Sequence, residues 1–447
     1  MIGRRVIVFL VAIVTLAACS RPVRDEIDLM PAPDVYGGGM LDPLPAQDPE
    51  IELPYETLLY ATDREPSQPE DSEKYYLNER GQIVRLGVAR VLLHQPDLAW
   101  SEMREISLVK NRSEDLPLRI TGVEEYDILE TTIPAFAQRE DYGEDLLDGD
   151  EEFAAAVNLQ LARSERKDIV IYVHGYKVVF ENPVLVATKL WHFLGYDGVM
   201  IGYAWPSTPS VWAYIRDSDT SHGYARHFRK FLEYLAENTD AEAIHVIAYS
   251  NGTRMVAGAY EQLALMYHDE SREQMQQKLR LGQLILTGSD LDREVFATYV
   301  ADGALRVPRH VSVYVSDKDK ALGFARWLTR RPRLGQMLDD ESMTPKIRRL
   351  FAEHTDYLSL IDVSDAEGSD SGNGHAYFRD SPWASSDILV SLMFGLSPEQ
   401  RGLVRNPDRP VWGFPPDYIN RLWAELAQVD SDFARAYQAR QAAGTEP

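Results

Sequence analysis

Ser250 stands in Ala248-Tyr249-Ser250-Asn251-Gly252, between an apolar run over 243–248 and a stretch over 253–267. The first reads as a buried strand and the second as a helix. A serine on such a turn is presented as a nucleophile, and the turn is tight enough to need small residues two before and two after. Ala248 and Gly252 meet that need, with alanine replacing the first glycine of the usual G-x-S-x-G. Alone, the pentapeptide reads equally well as a helix cap. A serine hydroxyl is a weak nucleophile at neutral pH, so it needs a base, and the base needs an orienting partner.

The elements around the serine say where to look. Residues 168–173 (DIVIYV), 199–204 (VMIGYA), 281–287, 311–315 and 357–363 are continuous apolar strands. Helical stretches over 183–193, 224–237 and 388–394 alternate with them. Continuous apolar strands separated by helices imply a mostly parallel sheet covered on both faces. Upstream, 57–64, 85–93, 107–110 and 118–122 read as strands without long helices between them, which predicts an antiparallel N-terminal edge. The expected class is α/β.

In such sheets the site gathers outside the carboxyl ends of the strands. Most of the ten histidines lie within helices, within strands or at a strand's amino end. His375 instead follows the last strand, in Gly372-Asn373-Gly374-His375, and is the candidate base. Two loops offer the acid. Asp319 follows the strand over 311–315, and Asp290 follows the strand over 281–287. Asp319 is preferred because the acid more often follows the later strand, an argument by fold analogy; Asp290 remains the alternative. A tetrahedral oxyanion needs two N–H donors. Asn251, next after the serine, supplies one. The other is expected at Tyr176, in His174-Gly175-Tyr176-Lys177 after the strand over 168–173.

These motifs together resemble the bacterial α/β-hydrolase family catalogued as DUF900. The resemblance rests on Tyr60-Ala61-Thr62-Asp63-Arg64, Val173-His174-Gly175-Tyr176, Trp205-Pro206-Ser207, Ser250, Asp290-Leu291-Asp292, Asp319-Lys320-Ala321-Leu322 and Gly374-His375-Ala376-Tyr377. Lys177 stands where asparagine is usual, and Ser289 where proline is usual. The resemblance implies an α/β-hydrolase fold and a serine hydrolase of no particular substrate.

The remaining sequence bounds the setting. A net charge of −24 over 447 residues argues against nucleic acid, whose phosphates need a basic face. Arg4-Arg5, the apolar 6–16 and Leu16-Ala17-Ala18-Cys19 resemble a bacterial lipoprotein signal. Cys19 is the one cysteine of the chain. That resemblance implies cleavage after residue 18, lipid on Cys19 and a place in the bacterial cell envelope. Ser20 after the cysteine favours the outer membrane, facing the periplasm. Residues 19–54 read as a flexible tether, 55–396 as the hydrolase domain, and 397–447 as a helical extension packed outside it, with one polar helix over 419–441. The segment 206–221, with Trp212 and Tyr214, reads either as a wall over the site or as an exposed loop.

The reading is a lipid-tethered serine hydrolase of the esterase, lipase or thioesterase kind. Its partners are a small acyl ester and, through Cys19, a membrane. No metal or organic cofactor is expected. A non-catalytic envelope binding protein on the same fold, and a serine peptidase or amidase, stay open as alternatives.

Overall fold

The computed structural model describes residues 26–44, 57–71, 73–93, 98–138, 149–210, 213–336 and 344–442. The signal over 1–18, Cys19, His94 and Trp212 lie outside them. Among the described residues one sheet holds the strands β1 (Glu26–Asp28), β2 (Leu58–Pro66), β3 (Tyr76–Leu93), β4 (Pro117–Ile128), β5 (Asp168–Val173), β6 (Val199–Ala204), β7 (Ala243–Tyr249), β8 (Leu281–Thr287), β9 (His310–Val315), β10 (Leu358–Asp362), β11 (Val404–Arg405) and β12 (Trp412–Gly413). Their order is β1-β4-β3-β2-β6-β5-β7-β8-β9-β10-β12-β11. From β2 to β12 the neighbours are parallel. β1, β4, β3 and β2 form the antiparallel edge.

Alternation along each strand feeds two cores. From β5, Ile169, Ile171 and Val173 pack on one side with Phe228, Phe231 and Leu232 of the helix Ala225–Asn238. Val170 and Tyr172 pack on the other side with Val184, Leu185 and Leu190 of the helix Glu181–Phe193. Both faces are therefore dry, and this is why the parallel strands read as unbroken apolar runs. Register aligns the carboxyl ends: Val173 sits opposite Ala248, Ala248 opposite Leu286, Thr287 opposite Tyr314, and Val315 opposite Asp362. The loops that follow β5, β7, β8, β9 and β10 consequently open on one edge of the sheet.

Three expectations need correcting. Residues 26–44 are no tether: Glu26–Asp28 pairs with β4, and Leu29, Met30, Val35, Tyr36 and Leu44 are buried. Their apolar residues follow no period because the segment runs as an extended strap, so nothing in the spacing announces it. The span 107–110 is not a strand; the helix Trp100–Ser107 precedes it and buries Met103 and Ser107, four residues apart. The C-terminal segment does more than pack outside, because β12 extends the sheet beside β10. Its helix is two helices, Tyr418–Val429 and Ser431–Ala442. The first is amphipathic, burying Tyr418, Leu422, Trp423 and Leu426.

Strap and extension meet. Trp423 Nε1 donates to Val35 O at 3.1 Å and Arg440 Nη1 donates to Gly38 O at 2.9 Å. The strap also meets the helix Pro382–Phe394, where Val35 N donates to Ser386 Oγ at 3.0 Å. Among the described residues no helix is long and apolar enough to cross a membrane.

A buried histidine makes the fold acid-sensitive. His192 contacts Ser107 Oγ and the Tyr196 hydroxyl. Burial, helped by Arg112, lowers its pKa from 6.5 to about 3. The unfolded chain therefore takes up this proton first as pH falls. Stability is full above pH 6.5 and is lost as pH drops toward about 3, by about 1.4 kcal/mol per pH unit for one group. Urea midpoints measured at stepped pH should fall through this window, and more shallowly in His192→Gln. A midpoint indifferent to pH across the window contradicts the assignment.

Candidate active site

The elbow is built by backbone strain. Ser250 has φ 54°, a left-handed conformation uncommon outside glycine. Its N–H donates to Thr287 O of β8 at 2.9 Å, and its carbonyl accepts from Thr253 Oγ1 at 2.6 Å. The helix Gly252–Met266 starts at once, with Asn251 as its cap. A Cβ at residue 252 would lie 2.2 Å from His174 O, and one at residue 175 would lie 2.8 Å from Ser250 Cβ. Gly252 is thus required by the close approach of the His174 main chain, and Gly175 by that of the Ser250 side chain. The second contact places Gly175, and so the start of the loop after β5, beside the serine.

His375 Nε2 lies 2.8 Å from Ser250 Oγ, and its Nδ1 lies 2.6 Å from Asp319 Oδ2. All three residues are buried, with His375 the most accessible at 8 %. Asp319 is fixed from behind. Its Oδ1 caps the helix Lys320–Thr329 by accepting from Leu322 N at 2.9 Å, leaving Oδ2 to the imidazole. Tyr249 packs against the imidazole ring, centroids 4.9 Å apart. A line of hydroxyl, imidazole and carboxylate can move a proton off the serine and stabilise the imidazolium that results.

Asp290, the alternative acid, is engaged elsewhere. Its carboxylate accepts from Tyr214 OH at 2.8 and 3.0 Å, from Asn251 Nδ2 at 3.2 Å and from Arg254 Nη2 at 3.2 Å. Arg333 Nε completes the set with an ion pair at 3.2 Å. The helix cap in this loop is Asp292, which accepts from Glu294 N at 2.8 Å.

The flanking motifs serve as bracing. The ring of His174 stacks on Trp205 at 5.0 Å, and its nitrogens face Gly175 O and Trp205 O. Burial, and then Arg64, hold its pKa well below the usual histidine range, so it is neutral and structural. Arg64 is wholly buried and donates to Val178 O at 3.0 Å, while Ser207 Oγ donates to the same carbonyl at 2.9 Å. Thr62 Oγ1 donates to Ala204 O at 2.7 Å. Together these hold the loop that carries Tyr176. Lys177 has φ 69°, a region in which asparagine is enriched, and this accounts for the residue usual at that position.

The sequence matches over residues 150–391 the family described as "Alpha/beta hydrolase of unknown function" (DUF900), just over half of the chain. The chain belongs to this α/β-hydrolase family. Two solved structures of esterase B from Lactobacillus rhamnosis are also similar, one named as C6-C4 SN3 inhibited and one as inhibited by a C4-C4 SN3 tributyrin phosphonate. Each is 11 % identical with a TM-score of 0.27, covering 64 % of this chain and 82 % of the esterase. A likeness that distant decides nothing about chemistry. No curated protein matches the sequence.

In this α/β-hydrolase the helix Tyr214–Gly223 is docked on the elbow. Ser221 Oγ donates to Asn251 Oδ1 at 2.6 Å, and Asn251 Nδ2 donates to Ser218 Oγ at 2.8 Å. The Tyr214 ring meets that of Tyr176 edge-on, 5.4 Å between centroids. The part of the segment 206–221 from Tyr214 onward is thus packed against the elbow as a helix rather than left as a free loop. Sequence reading missed Arg254 and Arg333, because neither sits at a spacing that signals a site. Among the described residues no group of three or more His, Cys, Asp or Glu could hold a metal ion.

Proposed function

We propose that this α/β-hydrolase is a serine esterase acting on carboxylic esters or thioesters. The observation that carries the reading is the hydrogen-bonded line Ser250–His375–Asp319, whose members follow the carboxyl ends of β7, β10 and β9. Ser250 Oγ attacks the acyl carbon while His375 Nε2 takes its proton. Asp319 holds the imidazole, and the amides of Tyr176 and Asn251 receive the negative oxygen. His375 returns the proton to the leaving alcohol or thiol, giving an acyl-enzyme. Water then attacks, losing a proton to His375, and the acid leaves as Ser250 is regenerated. These residues need no cofactor for the sequence of steps.

The test is turnover of p-nitrophenyl esters beside the matching anilides, with a fluorophosphonate as inhibitor. Ester cleavage blocked by the fluorophosphonate is expected. Cleavage of anilides alone would favour an amidase, and no turnover with no labelling would favour a binding protein.

The proposal extends to location: a lipid-anchored envelope protein, held through Cys19, on the periplasmic face of the outer membrane. The lipoprotein-like sequence before Cys19 supports it. β1 begins at Glu26, seven positions after Cys19, a reach of at most about 25 Å. The anchor would therefore hold the domain against the lipid surface rather than on a long leash. Cys19→Ser is expected to release the protein into the soluble fraction; a variant still membrane-bound and lipidated would contradict the anchor.

A further inference from the structure

Asp290 has the strand-end position of a triad acid, yet it takes no part in the Ser250–His375–Asp319 line. We infer that Asp290 is a positioning residue that holds both walls of the oxyanion cleft. The inference rests on the serine-hydrolase reading above and deepens it.

Three contacts lead from Asp290 to the cleft. Asn251 Nδ2 donates to Oδ2 at 3.2 Å, which fixes the residue whose amide is one donor. Tyr214 OH donates to both oxygens, and the Tyr214 ring packs edge-on against Tyr176, the residue of the other donor. Asp290 N donates to Ser250 O at 3.3 Å, tying its own backbone to the elbow. Two cations balance the charge from the far side: Arg254, and Arg333, whose Nη1 also donates to Asp290 O at 3.2 Å. Asp290 and Arg333 are each 2 % exposed. An ionised carboxylate offers about four acceptor sites and no donor; three side chains, Tyr214, Asn251 and Arg254, donate to it here, and Arg333 pairs with it by charge. Asparagine in its place would turn an N–H₂ toward these donors.

Oxyanion donors act through preorganisation, so loosening them lowers transition-state binding and leaves the ground state alone. Removing one donor outright costs about 10²- to 10³-fold; loosening two should cost about 10- to 100-fold. Asp290→Asn is therefore expected to lower kcat on an activated ester by that factor, with KM within about twofold. Affinity for a trifluoromethyl ketone, which forms a tetrahedral oxyanion on the serine, should fall by the same factor as kcat. The pH midpoint of kcat/KM should stay that of the wild type. Tyr214→Phe, which deletes one hydroxyl, should move kcat and ketone affinity together in the same direction by a smaller factor.

A shifted pH midpoint would overturn the inference, since Asp290 would then be acting on His375. So would a kcat loss that leaves ketone affinity intact, or one that merely tracks the unfolded fraction. An unaffected Asp290→Asn in an active wild-type background overturns this inference alone. No turnover and no fluorophosphonate labelling of the wild type removes the serine-hydrolase reading, and this one with it.

Discussion

Ser250→Ala is expected to abolish fluorophosphonate labelling and to lower ester turnover by about 10⁴- to 10⁶-fold. The substitution removes Oγ and with it the hydrogen bond to His375 Nε2. It leaves the local structure alone. Alanine keeps the β-carbon, so the strain at φ 54° is shared by both proteins. The bonds that fix the elbow use the main chain of residue 250, toward Thr287 and Thr253, and survive. Melting temperature should therefore stay close to that of the wild type while activity collapses. Residual turnover would come from the oxyanion donors and from binding alone. Equal labelling of variant and wild type would show that another residue is the nucleophile.

Asp319→Asn should lower kcat by about 10⁴-fold, as expected when the imidazole is held in the wrong tautomer. The aspartate does two jobs with two oxygens. Oδ1 caps a helix through Leu322 N, and Oδ2 accepts from His375 Nδ1. Asparagine has one oxygen. If that oxygen keeps the cap, its N–H₂ faces Nδ1 and forces this nitrogen to accept. The imidazole proton then sits on Nε2, where it blocks uptake of the serine proton. If the amide flips instead, the helix loses its cap at a cost of about 1 kcal/mol. The variant should remain folded, be labelled far more slowly and show unchanged KM. Activity near that of the wild type would return the role of acid to another residue.

The parts of this molecule that a sequence reader can see are those buried on both faces. β5 and β6 are legible residue for residue because nothing polar interrupts them, and in β8 only the partly buried Gln283 does. β3 is legible only from Arg85 onward, since its first half is partly exposed and carries Asn78, Glu79 and Arg80. The strap over 26–44 is invisible for a different reason: its apolar residues answer to partners nearly the whole chain away, not to neighbours three or four positions on. The candidate site divides in the same way. Ser250, Asp319 and His375 each follow a readable strand, so their loops could be placed. The role of Asp290 depends on Tyr214, 76 positions before it, and on Arg333, 43 positions after it. No local pattern encodes those meetings.

The contact between Trp423 and Val35 has a consequence in time. It joins residues 388 positions apart. A chain emerging from the ribosome at about 5–20 residues per second has its strap waiting about 20–80 s for the helix it fits. Until then Val35, Tyr36 and their apolar neighbours have no complete seat, and closing so long a loop adds an entropic cost that only late contacts repay. The strap is a clasp that can fasten only once the chain is nearly whole, and a product cut short before Trp423 would leave it open.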